Sequence, residues 1–221
     1  MKGQIFEIIS LLAIVGYFVP MVIMFYKKLW KDASLLMFAI YWSIGGMLNL
    51  YEKLPGMSNS SMEFVEVCYY MIAIPFVLFI YFHTTSSLVL KKYILILLPV
   101  YIVVEFVNAI FRGMNLEALK YILGVGLLLT LIVITWDIIM HLQNLEHSNR
   151  ERSLMFINAA ILFEYGTYVI IYIFDYFISS TDSKDSQLIY YISSIVAVTL
   201  ASYGFIYRGV KKSVWYGHSL M

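Results

Sequence analysis

Long apolar stretches alternate with short polar ones along the whole chain. Seven apolar spans stand out, at Ile5–Tyr26, Ser34–Leu54, Met62–Phe82, Tyr93–Phe111, Ala118–Leu142, Leu154–Phe177 and Ser186–Tyr207. An α-helix of about 20 predominantly apolar residues crosses a hydrocarbon core of roughly 30 Å. Each span therefore predicts one membrane-crossing helix. The connections KKLWKD, PGMSNSS, TTSSLVLKK, RGMNLE, QNLEHSNRERS and ISSTDSKDSQ are short and polar, and none could form a domain of its own. The pattern predicts an all-α fold: a polytopic seven-transmembrane-helix bundle forming a single domain over residues 1–221.

Composition sharpens this class. The chain is 62% hydrophobic and 13% charged, with a mean hydropathy of +0.82. A soluble domain is about 45–50% apolar and about 25% charged, so lipid must act as solvent for much of the surface. The net charge of +1 makes no case for nucleic acid, and the lone Cys68 allows no disulfide within the chain. The start, MKGQIFEIISLLAIVGYF, has the look of a signal peptide. Its apolar run continues to Phe25 without a small-residue cleavage site, so it reads as a retained first helix.

Charge also predicts orientation. Ten of the fifteen Lys and Arg residues fall on one side: Lys27, Lys28, Lys31, Lys91, Lys92, Arg150, Arg152, Arg208, Lys211 and Lys212. The other side holds Lys2, Lys53, Arg112, Lys120 and Lys184. Basic loops stay in the cytoplasm. The N-terminus is then outside and the C-terminus cytoplasmic, in what the reading takes to be a bacterial inner (plasma) membrane. Trp30, Trp42, Trp136 and Trp215 are read as members of interfacial belts.

The acids divide differently. Asp32, Asp137, Glu146 and Glu151 fall toward the basic side, and Glu7, Glu117, Asp182 and Asp185 toward the other. Glu164 lies near the middle of the sixth span and Glu105 within the fourth. A carboxylate exposed to lipid at such depth costs several kcal/mol, on the order of 3 by insertion scales. Both should face the interior, with Asn49, Asn108, Tyr165, Tyr168, Ser193 and Ser194 as candidate partners. Glu164 and Glu105 are expected to form a ligand or proton site with Asn108, Tyr165, Tyr168 and Asn49. Glu52, Glu63, Glu66 and Asp175 are expected to line its outer mouth. Structural glue between helices remains an equal alternative.

Searches for specific chemistry narrow the field. A retinal protein needs a Schiff-base lysine in the last helix, and Ser186–Tyr207 has none. No HExxH or GxSxG pattern occurs. His83, His141 and Asp137 could meet around zinc at the cytoplasmic interface, as a membrane-embedded lipid-modifying enzyme would require; His147 and His218 lie at the same side. Asp137 reads more simply as a cap or interface residue, and no metal or cofactor is expected. A seven-helix carrier repeats its helix breaks in both halves. Here Pro20, Pro55, Pro75 and Pro99 all fall in the first half, and Gly124 and Gly126 read as close-packing points. The tail GVKKSVWYGHSLM is too short for an output domain, so a signal would pass to a separate membrane or cytoplasmic protein. Gly45, Gly46, Ala159 and Ala160 offer small surfaces for partner helices, and a homo-oligomer is possible.

The stretches SLLMFAIYWSIGGMLNLYEKLPG, FVEVCYYMIAIPFVLFIYFHTTSSLVLKKYI and MFINAAILFEYGTYVIIYIF, with the step Tyr165-Gly166-Thr167, resemble a group of small uncharacterised bacterial seven-helix membrane proteins. That group is similar to the membrane sensing portion of histidine kinases. The resemblance implies a signalling accessory and spans most of the chain as pattern and helix spacing. Glu164 departs from it, where an apolar residue or tyrosine is expected. The resulting expectation is a non-enzymatic membrane sensor or accessory subunit acting through a partner. The alternatives are a small-solute or proton-coupled transporter and the lipid-modifying enzyme.

Overall fold

A computed structural model of the protein describes residues 2–54, 58–143, 148–178 and 183–208. Pro55, Glu146, His147, Asp182, Lys211, Lys212, Trp215 and His218 lie outside the described residues, as do the side chains of Lys2, Lys184 and Asp185. Seven α-helices make up the fold, and no strand occurs among the described residues. They are α1 (Lys2–Tyr26), α2 (Ala33–Glu52), α3 (Asn59–Thr84), α4 (Leu88–Arg112), α5 (Leu116–Leu142), α6 (Asn149–Ile173) and α7 (Ser183–Arg208). All seven are long and apolar enough to cross a membrane, as an integral membrane protein requires. Most spans grow by a few residues at their ends, because the first and last turns carry polar caps that hydropathy does not count. The fourth grows most, back to Leu88.

Those caps explain where the helices begin. Ser58, Ser87 and Asn115 accept hydrogen bonds from the amides of Ser61, Leu90 and Ala118. Ser148 and Glu151 form a reciprocal capping box on α6. α4 ends at Gly113, whose φ of 89° suits a residue without Cβ. Pro20, Pro75 and Pro99 sit inside α1, α3 and α4 without ending them. Beyond Ile173, α6 widens into a π-helical turn, Phe174–Ile178.

The helices do not pack simply in chain order. α1 touches α2, α2 touches α3, α3 touches α5, α5 touches α6, α6 touches α7, and α7 returns to α1. Six helices thus close a ring, while α4 lies outside it against α3 and α5. Leu95, Ile96, Val100, Val103, Phe106 and Ile110 leave most of α4 facing outward.

Close contacts seal the ring. At Gly204 an added Cβ would come within 2.9 Å of the Ser153 carbonyl oxygen on α6. Ser153 Oγ donates to the Gly204 carbonyl at 2.8 Å. Gly46 approaches Tyr17 in the same way, where an added Cβ would stand 2.8 Å from Tyr17 Cβ. Gly45, Gly46 and Ala160 are buried inside the bundle. These three join the chain's own helices and are not free for a partner, which corrects the reading of them as docking surface. Gly124 and Gly126 are close-packing points as expected, against Tyr172 and Tyr101.

The basic residues gather at one end. Arg150 pairs with Asp32 at 3.2 Å, Arg208 reaches the same carboxylate at 3.7 Å, and Lys27 donates to the Ile206 carbonyl. The opposite end holds Lys53, Glu63, Lys120 and Asp175.

Candidate functional site

Glu164 sits fifteen residues into α6 and is 1% exposed. Tyr168, one turn on, donates its hydroxyl to Oε1 at 2.7 Å. Trp42 of α2 donates its indole N–H to Oε2 at 3.1 Å. The Tyr17 hydroxyl of α1 lies 3.4 Å from Oε1. No Lys, Arg or His pairs with this carboxylate among the described residues. It is held by neutral donors alone, from its own helix and two others.

Tyr17 is where the network branches. Its hydroxyl also lies 2.7 Å from Ser194 Oγ and 3.1 Å from Tyr190 OH, both on α7. Ser194 already donates to the Tyr190 carbonyl, so it accepts from Tyr17. A phenol has one proton. Tyr17 therefore donates to one of three acceptors at a time: Ser194, Tyr190 or Glu164. Asn49 of α2 extends the network by donating to Tyr190 OH at 2.9 Å, and Tyr168 stacks on Tyr190 with centroids 5.7 Å apart. Tyr165, also buried, packs against Tyr168 with the two rings tilted by 55°.

Of the expected site residues, the structure gathers Glu164, Tyr168, Tyr165 and Asn49, with Ser194 joined through Tyr17. Ser193 only turns back to the Tyr190 carbonyl. Glu105 and Asn108 are elsewhere. They lie on α4, outside the ring, where Asn108 donates to the Ala118 carbonyl at 2.9 Å. Glu105 is buried beside Tyr101, and no hydrogen bond joins it to Glu164 among the described residues. The two acids do not form one centre, because α3 packs directly on α5 and shuts α4 out of the interior.

The expected outer mouth is likewise dispersed. Glu63 accepts from the Leu116 amide at 3.2 Å and so caps α5 from a neighbouring helix. Glu66 accepts from Tyr70, and Asp175 from Ser186. Glu52 is exposed at the last turn of α2. A cation stands beside it: Lys53 donates to Ser10 and lies over the rings of Phe6 and Tyr191. The end of the bundle above Glu164 is therefore mixed in charge.

Two key residues differ from what the sequence pattern suggests. Trp42 is fully buried, not part of an interfacial belt. Its depth, nine residues into α2, is the signal that separates it from a belt position. Tyr17 lies on the same helical face as Ser10, Ala13, Ile14 and Met24, all buried, and that spacing marks it as interior.

Another buried carboxylate lies nearer the basic end. Asp137 of α5 is 1% exposed and accepts from Asn158 of α6 at 2.8 Å. Asn158 in turn accepts from Tyr81 of α3 at 3.1 Å. His141 Nδ1 stands 3.6 Å from the same Asp137 oxygen, and the other oxygen has no hydrogen-bond partner. Asp137 is thus an interior residue that ties three helices, rather than a cap or interface residue. Its side chain is buried between α3, α5 and α6. His83 is exposed and packs against Phe79 and Phe82. No group of three or more His, Cys, Asp or Glu side chains converges among the described residues.

No protein-family model matches this chain, and no curated protein or solved structure matches it at a significant level.

Proposed function

We propose that this protein is a membrane sensor or accessory subunit whose sensing element is the Glu164 centre, acting through a separate protein partner. The observation that carries the reading is the uncompensated carboxylate. A buried anion without a cationic partner is held at a cost of several kcal/mol, roughly 3 or more in a membrane interior. Arrival of positive charge, as a proton or a small cation, relieves that cost. The same event removes the pull on the Tyr17 O–H, which turns its hydrogen bond to Ser194 or Tyr190, and weakens the Trp42 bond, since an indole N–H can only donate. These contacts join α1, α2, α6 and α7, so a local change of charge becomes a change of helix packing. Such a change in a ring of helices suits transmission to a partner, the role implied by the resemblance of the α2, α3 and α6 stretches to a group of small seven-helix membrane proteins that is itself similar to the sensing portion of histidine kinases.

A second reading is a proton-coupled transporter. It is favoured by Asp137, another buried acid at a different depth with one unpaired oxygen. The deciding experiment takes wild-type and Glu164→Gln proteins at native expression in nanodiscs and identifies what co-purifies. A near-stoichiometric protein partner, with a response altered by Gln, supports the sensor. Protein recovered alone, with proteoliposome flux abolished by Glu164→Gln, replaces it with the transporter.

A further inference from the structure

The basic end holds a cleft of about 510 Å³ between the α1–α2 connection, the start of α6 and the end of α7. Lys28, Lys31, Arg150, Arg208, Asp32 and Ser34 line it. We infer that this cleft binds the phosphate headgroup of an anionic phospholipid.

Charge is the first argument. Four cations face one carboxylate. Asp32 Oδ2 is shared by Arg150 Nε at 3.2 Å and Arg208 at 3.7 Å, which fixes both guanidinium groups without neutralising both. Lys28 and Lys31 are exposed and have no hydrogen-bond or ion-pair partner among the described residues. Lys28 holds a left-handed backbone, φ 56° and ψ 38°, at the turn into Leu29–Lys31. A non-glycine residue in that conformation is uncommon.

The helix terminus is the second. Asp32 occupies the cap position of α2 but makes no cap hydrogen bond; its carboxylate goes to the arginines instead. The first amides of α2 are left for an outside acceptor, and a helix N-terminus favours an anion. Arg208 Nε is also buried without a hydrogen-bond partner. Arg150 reaches Ser34 at the same terminus, at 3.0 Å.

The surroundings select lipid over free phosphate. Phe25, Tyr26 and Trp30 are exposed beside the lysines, and Phe25 and Trp30 pack together with centroids 6.0 Å apart. Aromatic side chains next to a basic cleft at a helix end match the headgroup–acyl boundary.

The test uses the full-length protein in detergent, titrated with phosphatidylglycerol, phosphatidylcholine or inorganic phosphate, and read by thermal stability and native mass spectrometry. Phosphatidylglycerol should bind and stabilise at concentrations where the other two do not. Lys28→Gln with Lys31→Gln should weaken that binding roughly thirty-fold, taking about a factor of five for each lysine near an anionic headgroup. Neither lysine has an internal contact to lose, so the variant should fold. Lys91→Gln with Lys92→Gln, a basic pair of the same end but outside the cleft, should change the affinity by less than about three-fold. The inference is overturned if phosphatidylcholine or phosphate stabilises equally. It is overturned too if the Lys28/Lys31 variant binds like wild type, or if both lysine pairs weaken binding alike.

Discussion

Replacing Trp42 by Phe separates a charged centre from ordinary interhelical glue. The substitution keeps an aromatic ring in the core but removes the indole N–H that donates to Glu164 Oε2. A hydrogen bond to an ionised group contributes about 1.5–3 kcal/mol. Ordinary interhelical bonds in a membrane average about 0.6 kcal/mol and reach about 1.7 at most. Trp42→Phe alone mixes this loss with the smaller ring volume. The mixture is resolved by a double-mutant cycle with Glu164→Gln. Glutamine turns its carbonyl to Trp42 and its amide to Tyr168 and Tyr17, whose hydroxyls can rotate to accept. The volume change is common to both backgrounds and cancels. Unfolding in mixed micelles should give a coupling of roughly 2 kcal/mol for an ionised Glu164. A coupling of about 0.6 kcal/mol or less would show a neutral hydrogen bond and refute the reasoning built on charge.

Other substitutions follow from the same geometry. Gly204→Ala should destabilise by about 1–3 kcal/mol, because its Cβ meets the α6 backbone and not a flexible side-chain tip; a melting temperature equal to wild type would contradict the close approach of α6 and α7. Asn158→Leu strands both Asp137 and Tyr81 and should cost roughly 3 kcal/mol in the same unfolding assay, and adding Asp137→Leu should restore part of it. If the double variant is less stable than the single one, Asp137 does more than accept from Asn158. Glu63→Ala removes the cap on the Leu116 amide and should cost about 1 kcal/mol, with faster hydrogen exchange confined to the first turn of α5. Asp32→Asn breaks two half-exposed ion pairs and should alter stability by less than about 1 kcal/mol, as chemical denaturation will show.

The sequence makes the seven spans legible because each carries its own hydropathy signal, independent of its neighbours. Ring order carries no such signal. Nothing local in Tyr93–Phe111 says that α3 will pass over it to reach α5, and Glu105 was grouped with Glu164 on depth alone. Glu164 was legible since an acid in mid-span must turn inward. Its donor from α2, Trp42, was not, because tryptophan at membrane interfaces is the commoner case. Asp137 was obscured in the same way by its nearness to a helix end. Helix ends moved because Ser58, Ser87 and Asn115 cap first turns that hydropathy does not count.

The closed ring also orders the birth of the molecule. α1 and α2 are made first, carrying Tyr17 and Trp42 with no carboxylate to receive them. α6 then brings Glu164, and only α7, the last helix of the ring, delivers Ser194 and Tyr190 to Tyr17. Until then the ring has an open seam between α6 and α1. A nascent chain halted after α6 would hold a buried acid beside an unsealed gap facing lipid, a state that membrane quality-control proteases can distinguish from the finished protein.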